Sequence, residues 1–318
     1  MMRRVLIALI ALPLTLVLGG VGVMLWLTKR AEPVYSGEVA LAGLQAPVRV
    51  RVGPHGVPTV RADSVQDLLF AQGYLVARER LWQMDLMRRI ADGRLAEVFG
   101  PKALDMDLLF RTLGLNASAS RALSDLEAPQ RDMLAAFAAG VNAYRGQPRW
   151  RLPIEYRIAG FDPAPWVPED SLVIGAFMAW TLSYNLREEL TFLRVASRVG
   201  PERARELFPP DPELPLPAVS PDLPEDLFAP GQALAGRLLD LFQGPGRLGL
   251  PVPGAASNGW ALTGRHSADG SAFLANDPHL APSMPGIWYE LELIGPGIHV
   301  AGLSLPGIPL VMIGHNAD

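Results

Sequence analysis

Ser257 sits in the run Gly254-Ala255-Ala256-Ser257-Asn258-Gly259-Trp260, between a Pro/Gly-rich stretch and a strand-like segment. A serine hydroxyl needs a base to act as a nucleophile, and no histidine adjoins this one in sequence. One known solution is a free α-amino group on the serine itself, which titrates at about 7.7 to 8.0 and so takes a proton near working pH. The same Ser-Asn-Gly run is also ordinary turn chemistry before a strand. A conventional serine hydrolase would use His266 or His279 as the base, but the chain contains no Gly-x-Ser-x-Gly elbow to present its nucleophile. The tripeptide Asp277-Pro278-His279, read alone, is a turn that caps a strand.

Positioning such a serine needs a sheet, and the pattern supplies one late in the chain. Strand-like pieces follow one another at Trp260 to Thr263, Ala272 to Leu274, Ile287 to Leu293 and Ile298 to Ala301. Upstream, Pro47-Val48-Arg49-Val50-Arg51-Val52 alternates with period two and Pro54-His55-Gly56-Val57-Pro58 turns it, which predicts a hairpin. Ser64 with Asp67 predicts a helix cap. The apolar face Leu68, Leu69, Tyr74, Leu75, Leu81, Trp82, Leu86 and Ile90 then carries a long helix to about Ala91. Met84 and Met87 beside Trp82 are packing residues at helical spacing.

Helical patterns continue over Leu104 to Leu126 and Gln130 to Tyr144, before prolines at 148, 153, 163, 165 and 168 break the chain. A further helix starts near Pro168-Glu169-Asp170, its acidic pair at the positive end of the dipole, and is expected to run toward Val195. Its middle, Phe177 to Tyr184, is apolar on all sides, which implies burial or a pocket wall. From Pro209 to Pro253 the composition turns proline-rich, with one amphipathic piece over Ala233 to Phe242, and reads as a spacer. Helices first, then a sheet, place the chain in the α+β class.

The 318 residues carry a formal charge of −4, with no basic run beyond short N-terminal clusters, so there is no electrostatic footprint for nucleic acid. Cysteine is absent, which excludes disulfides and thiolate metal sites. Arg3-Arg4, the apolar run Val5 to Leu27 and Lys29-Arg30 form a separate export module, expected to be an uncleaved membrane-spanning signal anchor. A cleaved signal peptide, cut near Gly19-Gly20-Val21-Gly22, is the alternative. Either way the body is expected outside the cytoplasm. The ending at Gly314-His315-Asn316-Ala317-Asp318, without a closing element, reads as that of a fragment.

Several segments together resemble the penicillin acylase family of N-terminal nucleophile hydrolases. They are Gly56-Val57-Pro58-Thr59-Val60, Ala71-Gln72-Gly73-Tyr74, Arg80-Leu81-Trp82-Gln83-Met84-Asp85, Leu152-Pro153-Ile154-Glu155-Tyr156 and Pro165-Trp166-Val167-Pro168-Glu169-Asp170 for the α subunit. Ser257-Asn258-Gly259-Trp260, Asn276-Asp277-Pro278-His279, Pro285-Gly286-Ile287-Trp288-Tyr289-Glu290 and Gly302-Leu303-Ser304-Leu305-Pro306-Gly307 match the start of the β subunit. The resemblance runs from about Glu38 to Asp318, spacer excepted. It implies the N-terminal nucleophile hydrolase fold, an αββα sandwich, with a signal or anchor over 1–30, an α-subunit region over 31–208, a spacer over 209–256 and a truncated β-subunit start over 257–318.

The resemblance further implies a precursor that cuts itself between Ala256 and Ser257 to give an α/β heterodimer acting on N-acyl amides. His279 matches a position close to the nucleophile, with Asn258 as a neighbour. Phe177, Met178 and Trp180 match the wall of the acyl pocket. Glu189, or Glu188 in an alternative registration, matches one carboxylate of a structural calcium site, whose other ligands are expected beyond Asp318, as are the oxyanion-hole donors. The chain given is therefore expected to be a poor enzyme by itself. A non-enzymatic reading, an anchored periplasmic domain that binds acylated ligands, stands as the alternative.

Overall fold

The computed structural model describes residues 2–31, 35–148, 151–183, 185–208, 236–240, 256–280 and 282–317. Most of the 209–256 spacer lies outside the described residues; within it, 236–240 is helical. The element order mixes helix and strand, which makes the chain α+β: α1 (Met2–Ala31), β1 (Arg49–Val52), β2 (Pro58–Arg61), α2 (Val65–Ala91), the short α3 (Ala96–Phe99), α4 (Leu104–Leu113), α5 (Leu115–Asp125), α6 (Ala128–Arg145), α7 (Ile154–Ala159), α8 (Pro168–Thr181), α9 (Asn185–Val199), α10 (Pro201–Leu207), then β3 (Ala256–Leu262), β4 (Phe273–His279), β5 (Tyr289–Gly295), β6 (Ile298–Ser304) and β7 (Val311–Asn316).

The chain divides into two compact units. One comprises Met1–Asp85, Leu126–Pro168 and Ile287–Asp318; the other comprises Leu86–Asp125 and Glu169–Gly286. Both therefore interleave segments from the two regions that the sequence lays out in linear order. The α1 helix covers the apolar N-terminal run and contains Pro13. Among the described residues, however, no helix is long and apolar enough to cross a membrane, so the expected membrane-spanning anchor is without structural support.

In the first unit, a five-stranded sheet runs β1-β2-β5-β6-β7. The predicted hairpin is present: β1 pairs antiparallel with β2, Arg49 opposite Arg61, and the turn closes with Gly53 N donating to Val57 O at 2.9 Å while Gly56 adopts φ 81°. One expectation needs correction. The sheet is not purely a late feature, because β2 pairs in parallel with β5, Thr59 opposite Glu292, so N-terminal strands join C-terminal ones. Val60 is the reason: its inward side chain is 1% exposed, and a lone hairpin could not bury it. Thr59 Oγ1 donates to Glu292 Oε2 at 2.8 Å and the His299 ring lies 3.1 Å from Oε1, contacts that hold the Glu292 carboxyl below its usual range.

The predicted cap of α2 is also present. Asp67 N donates to Ser64 Oγ at 3.0 Å, and the buried Asp67 carboxylate accepts from Gln45 N at 2.8 Å, Ala46 N at 3.2 Å and Ser64 Oγ. This one side chain ties the incoming loop to the first turn of the helix. Further along, α2 and α6 cross with their backbones in contact at Gly73 and Gly140. A methyl group on Gly140 would strike Phe70 O and approach Tyr74 N to 2.9 Å.

Among the described residues, the second unit holds two apolar clusters. Ile90, Leu95, Ala103, Met106, Leu109 and Phe110 form the first, with Phe177 and Trp180 against it; Ala91, Ala119 and Val173 form the second. Asp107 accepts from Leu95 N at 2.7 Å and Ala96 N at 2.9 Å, and Arg88 Nη1 donates to Asp170 Oδ2 at 2.8 Å. The helix expected from Pro168 toward Val195 is two helices, α8 and α9. Thr181 Oγ1 donates to Met178 O and Ser183 Oγ to Ala179 O, both at 2.8 Å, beside the backbone bonds that close α8, Leu182 N to Met178 O and Ser183 N to Trp180 O.

Because backbone stands at the crossing of α2 and α6, no side-chain rearrangement can make room there. Gly140→Ala should therefore cost about 3 kcal/mol or more, read as a lower urea midpoint, whereas a merely loose crossing would leave the midpoint unchanged.

Candidate active site

Ser257 is the second residue of β3, and its side chain is exposed. The strand forms a two-stranded sheet with β4, in the register Ala256 opposite His279, Ser257 opposite Pro278 and Asn258 opposite Asp277. The tripeptide Asp277-Pro278-His279, which by residue type alone permits a turn, is thus the end of a strand. Side chains alternate between the two faces of a strand, so cross-strand partners share a face and chain neighbours do not. Asn258, Asp277 and His279 consequently stand on one face of the ribbon and Ser257 on the other.

On their shared face, Asn258 Nδ2 lies 3.3 Å from His279 Nε2, and His279 Nδ1 lies 3.3 Å from Asp277 Oδ1. An amide NH₂ can only donate, so Nε2 accepts from it; Nδ1 then carries the proton and points it at the carboxylate. The imidazole sits between these two partners, both of them solvent-accessible. Trp260, Leu262 and Phe273 extend the same face with half-exposed apolar surface.

The ladder itself is phased by Pro278. Alternate residue pairs in an antiparallel ladder exchange both backbone hydrogen bonds, and proline has no N–H to exchange. The pair Ser257–Pro278 is therefore a non-bonded one. The bonded pairs are its neighbours, Ala256–His279 and Asn258–Asp277.

The other sequence-predicted residues lie on helices. Phe177 and Trp180 of α8 are half-buried and pack edge-on against Phe110, with ring centroids at 5.4 and 4.8 Å, and Met178 is buried. The structure brings these aromatics together as part of a core cluster. Glu189 of α9 is half-buried and Glu188 exposed. Among the described residues, no three His, Asp or Glu side chains converge as a metal site would need. Calcium takes six to eight oxygen ligands, so Glu189 can contribute one ligand but does not fit a calcium cage with the residues described.

The family comparison agrees with the motifs. The penicillin amidase family model matches residues 47–318. The chain belongs to the penicillin amidase family. An acyl-homoserine lactone acylase of Pseudomonas aeruginosa is 36% identical over 307 residues, covering 94% of this chain and 36% of that protein. A penicillin acylase 2 proenzyme of a Pseudomonas species is 34% identical over 282 residues, covering 88% of this chain and 36% of its own length. A solved thermostable penicillin G acylase from Alcaligenes faecalis is 35% identical with a TM-score of 0.46, covering 55% of this chain and 98% of the solved one. The chain thus spans about a third of the length of these curated relatives.

Two residues of this ribbon escape a reading by residue type. Asp277 orients the His279 ring, and Pro278 sets the ladder phase; only the strand pairing reveals either role. The aromatic cluster makes a separate claim. Because Trp180 and Phe177 fill space against Phe110, Trp180→Ala should lower unfolding stability by about 2–3 kcal/mol, measured by denaturant titration, and an unchanged stability would contradict a packing role.

Proposed function

We propose that this chain carries the nucleophile of an acylase precursor, which cuts itself between Ala256 and Ser257 and whose Ser257 then attacks the amide bond of N-acyl substrates. The observation that carries the reading is the placement of Ser257 on the ribbon. Its hydroxyl is exposed beside no imidazole, since His279 occupies the opposite face, so the base that the hydroxyl needs is best supplied by the residue's own α-amine. Freed by scission, that amine takes the hydroxyl proton as Oγ attacks the substrate carbonyl, and water then hydrolyses the acyl-enzyme. Before scission the same nitrogen is an amide with no basic lone pair, so the uncut chain is silent toward external substrate.

Family membership and the proenzyme name of one relative support this reading. The relatives' names divide between acyl-homoserine lactones and penicillins, and both classes present an acyl chain on an amide nitrogen. Phe177, Met178 and Trp180 are proposed to face the acyl chain, and the mature enzyme to be an α/β heterodimer with the N-terminal nucleophile hydrolase sandwich. Arg3-Arg4 and the apolar run after it support a location outside the cytoplasm. A calcium role for Glu189 rests on the family resemblance and needs oxygen ligands other than those described.

Mass spectrometry of the full-length precursor tests the reading. Two fragments are expected, the second beginning with Ser257, and Ser257→Ala should remain whole; a wild-type precursor that persists uncut yet binds acyl ligands would instead make it a binding protein. After processing, turnover should rise with pH through about 7.7 to 8.0, because only the neutral amine can accept the proton. A pH profile flat across that interval would exclude the α-amine as base.

A further inference from the structure

The same ladder that exposes Ser257 also fixes the peptide bond in front of it. With Ser257–Pro278 a non-bonded pair, the bonded pair Ala256–His279 directs the His279 backbone N–H at the carbonyl oxygen of Ala256. That carbonyl belongs to the bond proposed to be cut. We infer that the backbone N–H of His279, and not its imidazole, is the group that stabilises the oxyanion formed on Ala256 during self-cleavage, with Pro278 holding the ladder in the phase that aims it. The inference rests on the proposed scission before Ser257.

The geometry separates the two actions. In a strand the peptide groups lie near the plane of the sheet and the side chains stand across it. Ser257 Oγ can therefore approach the Ala256 carbonyl carbon from its own face of the ribbon, out of the carbonyl plane. The His279 N–H meets the oxygen within that plane, from the neighbouring strand, and does not obstruct the attack. Addition of Oγ to the carbon places negative charge on the oxygen, and a hydrogen bond to a charged acceptor is roughly twice as strong as one to a neutral acceptor. The donor thus stabilises the transition state more than the starting peptide.

Collapse of that intermediate breaks the bond between the Ala256 carbon and the Ser257 nitrogen, and the hydroxyl proton passes to the departing nitrogen. The resulting ester between Ala256 and Ser257 Oγ is hydrolysed by water, which leaves a carboxyl on Ala256, a hydroxyl on Ser257 and the free amine. Exposure of Ser257 gives water the access this last step needs.

The test deletes one atom pair. Two full-length chains are made by in vitro translation, His279→Ala and the same chain with lactic acid at position 279, which replaces the backbone N–H by an ester oxygen and changes no side chain. Self-cleavage is followed by the appearance of the fragment beginning at Ser257. His279→Ala is expected to cut within about tenfold of the parent, and the lactic acid chain about 10²- to 10³-fold more slowly than His279→Ala. Equal rates in the two chains overturn the inference and leave the proposed function standing. A His279→Ala chain that has already stalled assigns the action to the imidazole and overturns it as well. A parent chain that does not cut at all overturns both.

Discussion

An antiparallel ladder has two possible phases of hydrogen bonding, and a single proline selects one of them. Opposite Ser257 that proline is Pro278, and the selection propagates outward. It removes the Ser257 backbone from the bonded pairs and commits the Ala256 carbonyl to the facing strand, while the register itself, with Ser257 opposite Pro278, puts the Ser257 hydroxyl and the His279 ring on opposite faces. A one-residue slip would exchange every one of these relations, because the side-chain period is two. The chemistry available to Ser257 is therefore decided by backbone pairing before any side chain is considered.

The scaffold relies on a different device, which is burial of carboxylates whose oxygens are taken up by fixed donors. Asp67 and Asp107 each accept two backbone N–H groups, and Asp170 receives Arg88. A buried ion without partners is costly, so each of these residues holds its own segment in the one arrangement that satisfies it. Asp67 binds a loop to the start of α2, and Asp107 binds the turn after α2 to α4. Apolar clusters supply the bulk of the burial, while these ions specify which helix ends meet which loops.

Local signals were legible in the sequence and remote ones were not. Ser64 and Asp67 announce the cap of α2 because both partners lie within one turn, and the alternation before Gly56 announces β1 and its hairpin because pairing and turn are contiguous. The junction of β2 with β5 has no local signature: Thr59 meets Glu292 across more than two hundred residues of chain, and each strand taken alone is only a short alternating run. The end of α8 at Thr181 was obscured for another reason. The apolar pattern that includes Phe177 and Trp180 continues into Leu182, so hydrophobicity does not mark the last turn, which closes with Ser183 N donating to Trp180 O. At the candidate site, the sequence points to Ser257 by its address and to His279 by its motif, but Pro278 reads as a turn residue until its partner across the ribbon is known.

On the reading proposed, one residue performs two acyl transfers under opposite conditions. In the first, its nitrogen is a peptide amide and cannot act as a base, so the hydroxyl attacks with no strong proton acceptor of its own, and progress depends on polarising the carbonyl. In the second, the nitrogen is an amine poised near neutrality and supplies the base directly. A strong side-chain base against Ser257 would blur that order, since it would activate the hydroxyl in the uncut chain as well. Placement of the His279 imidazole on the far face of the ribbon, engaged by Asn258 and Asp277, keeps such a base away from Ser257 in the uncut chain. The first reaction is then left to a carbonyl held in a ladder, and the second becomes possible only because the first has occurred.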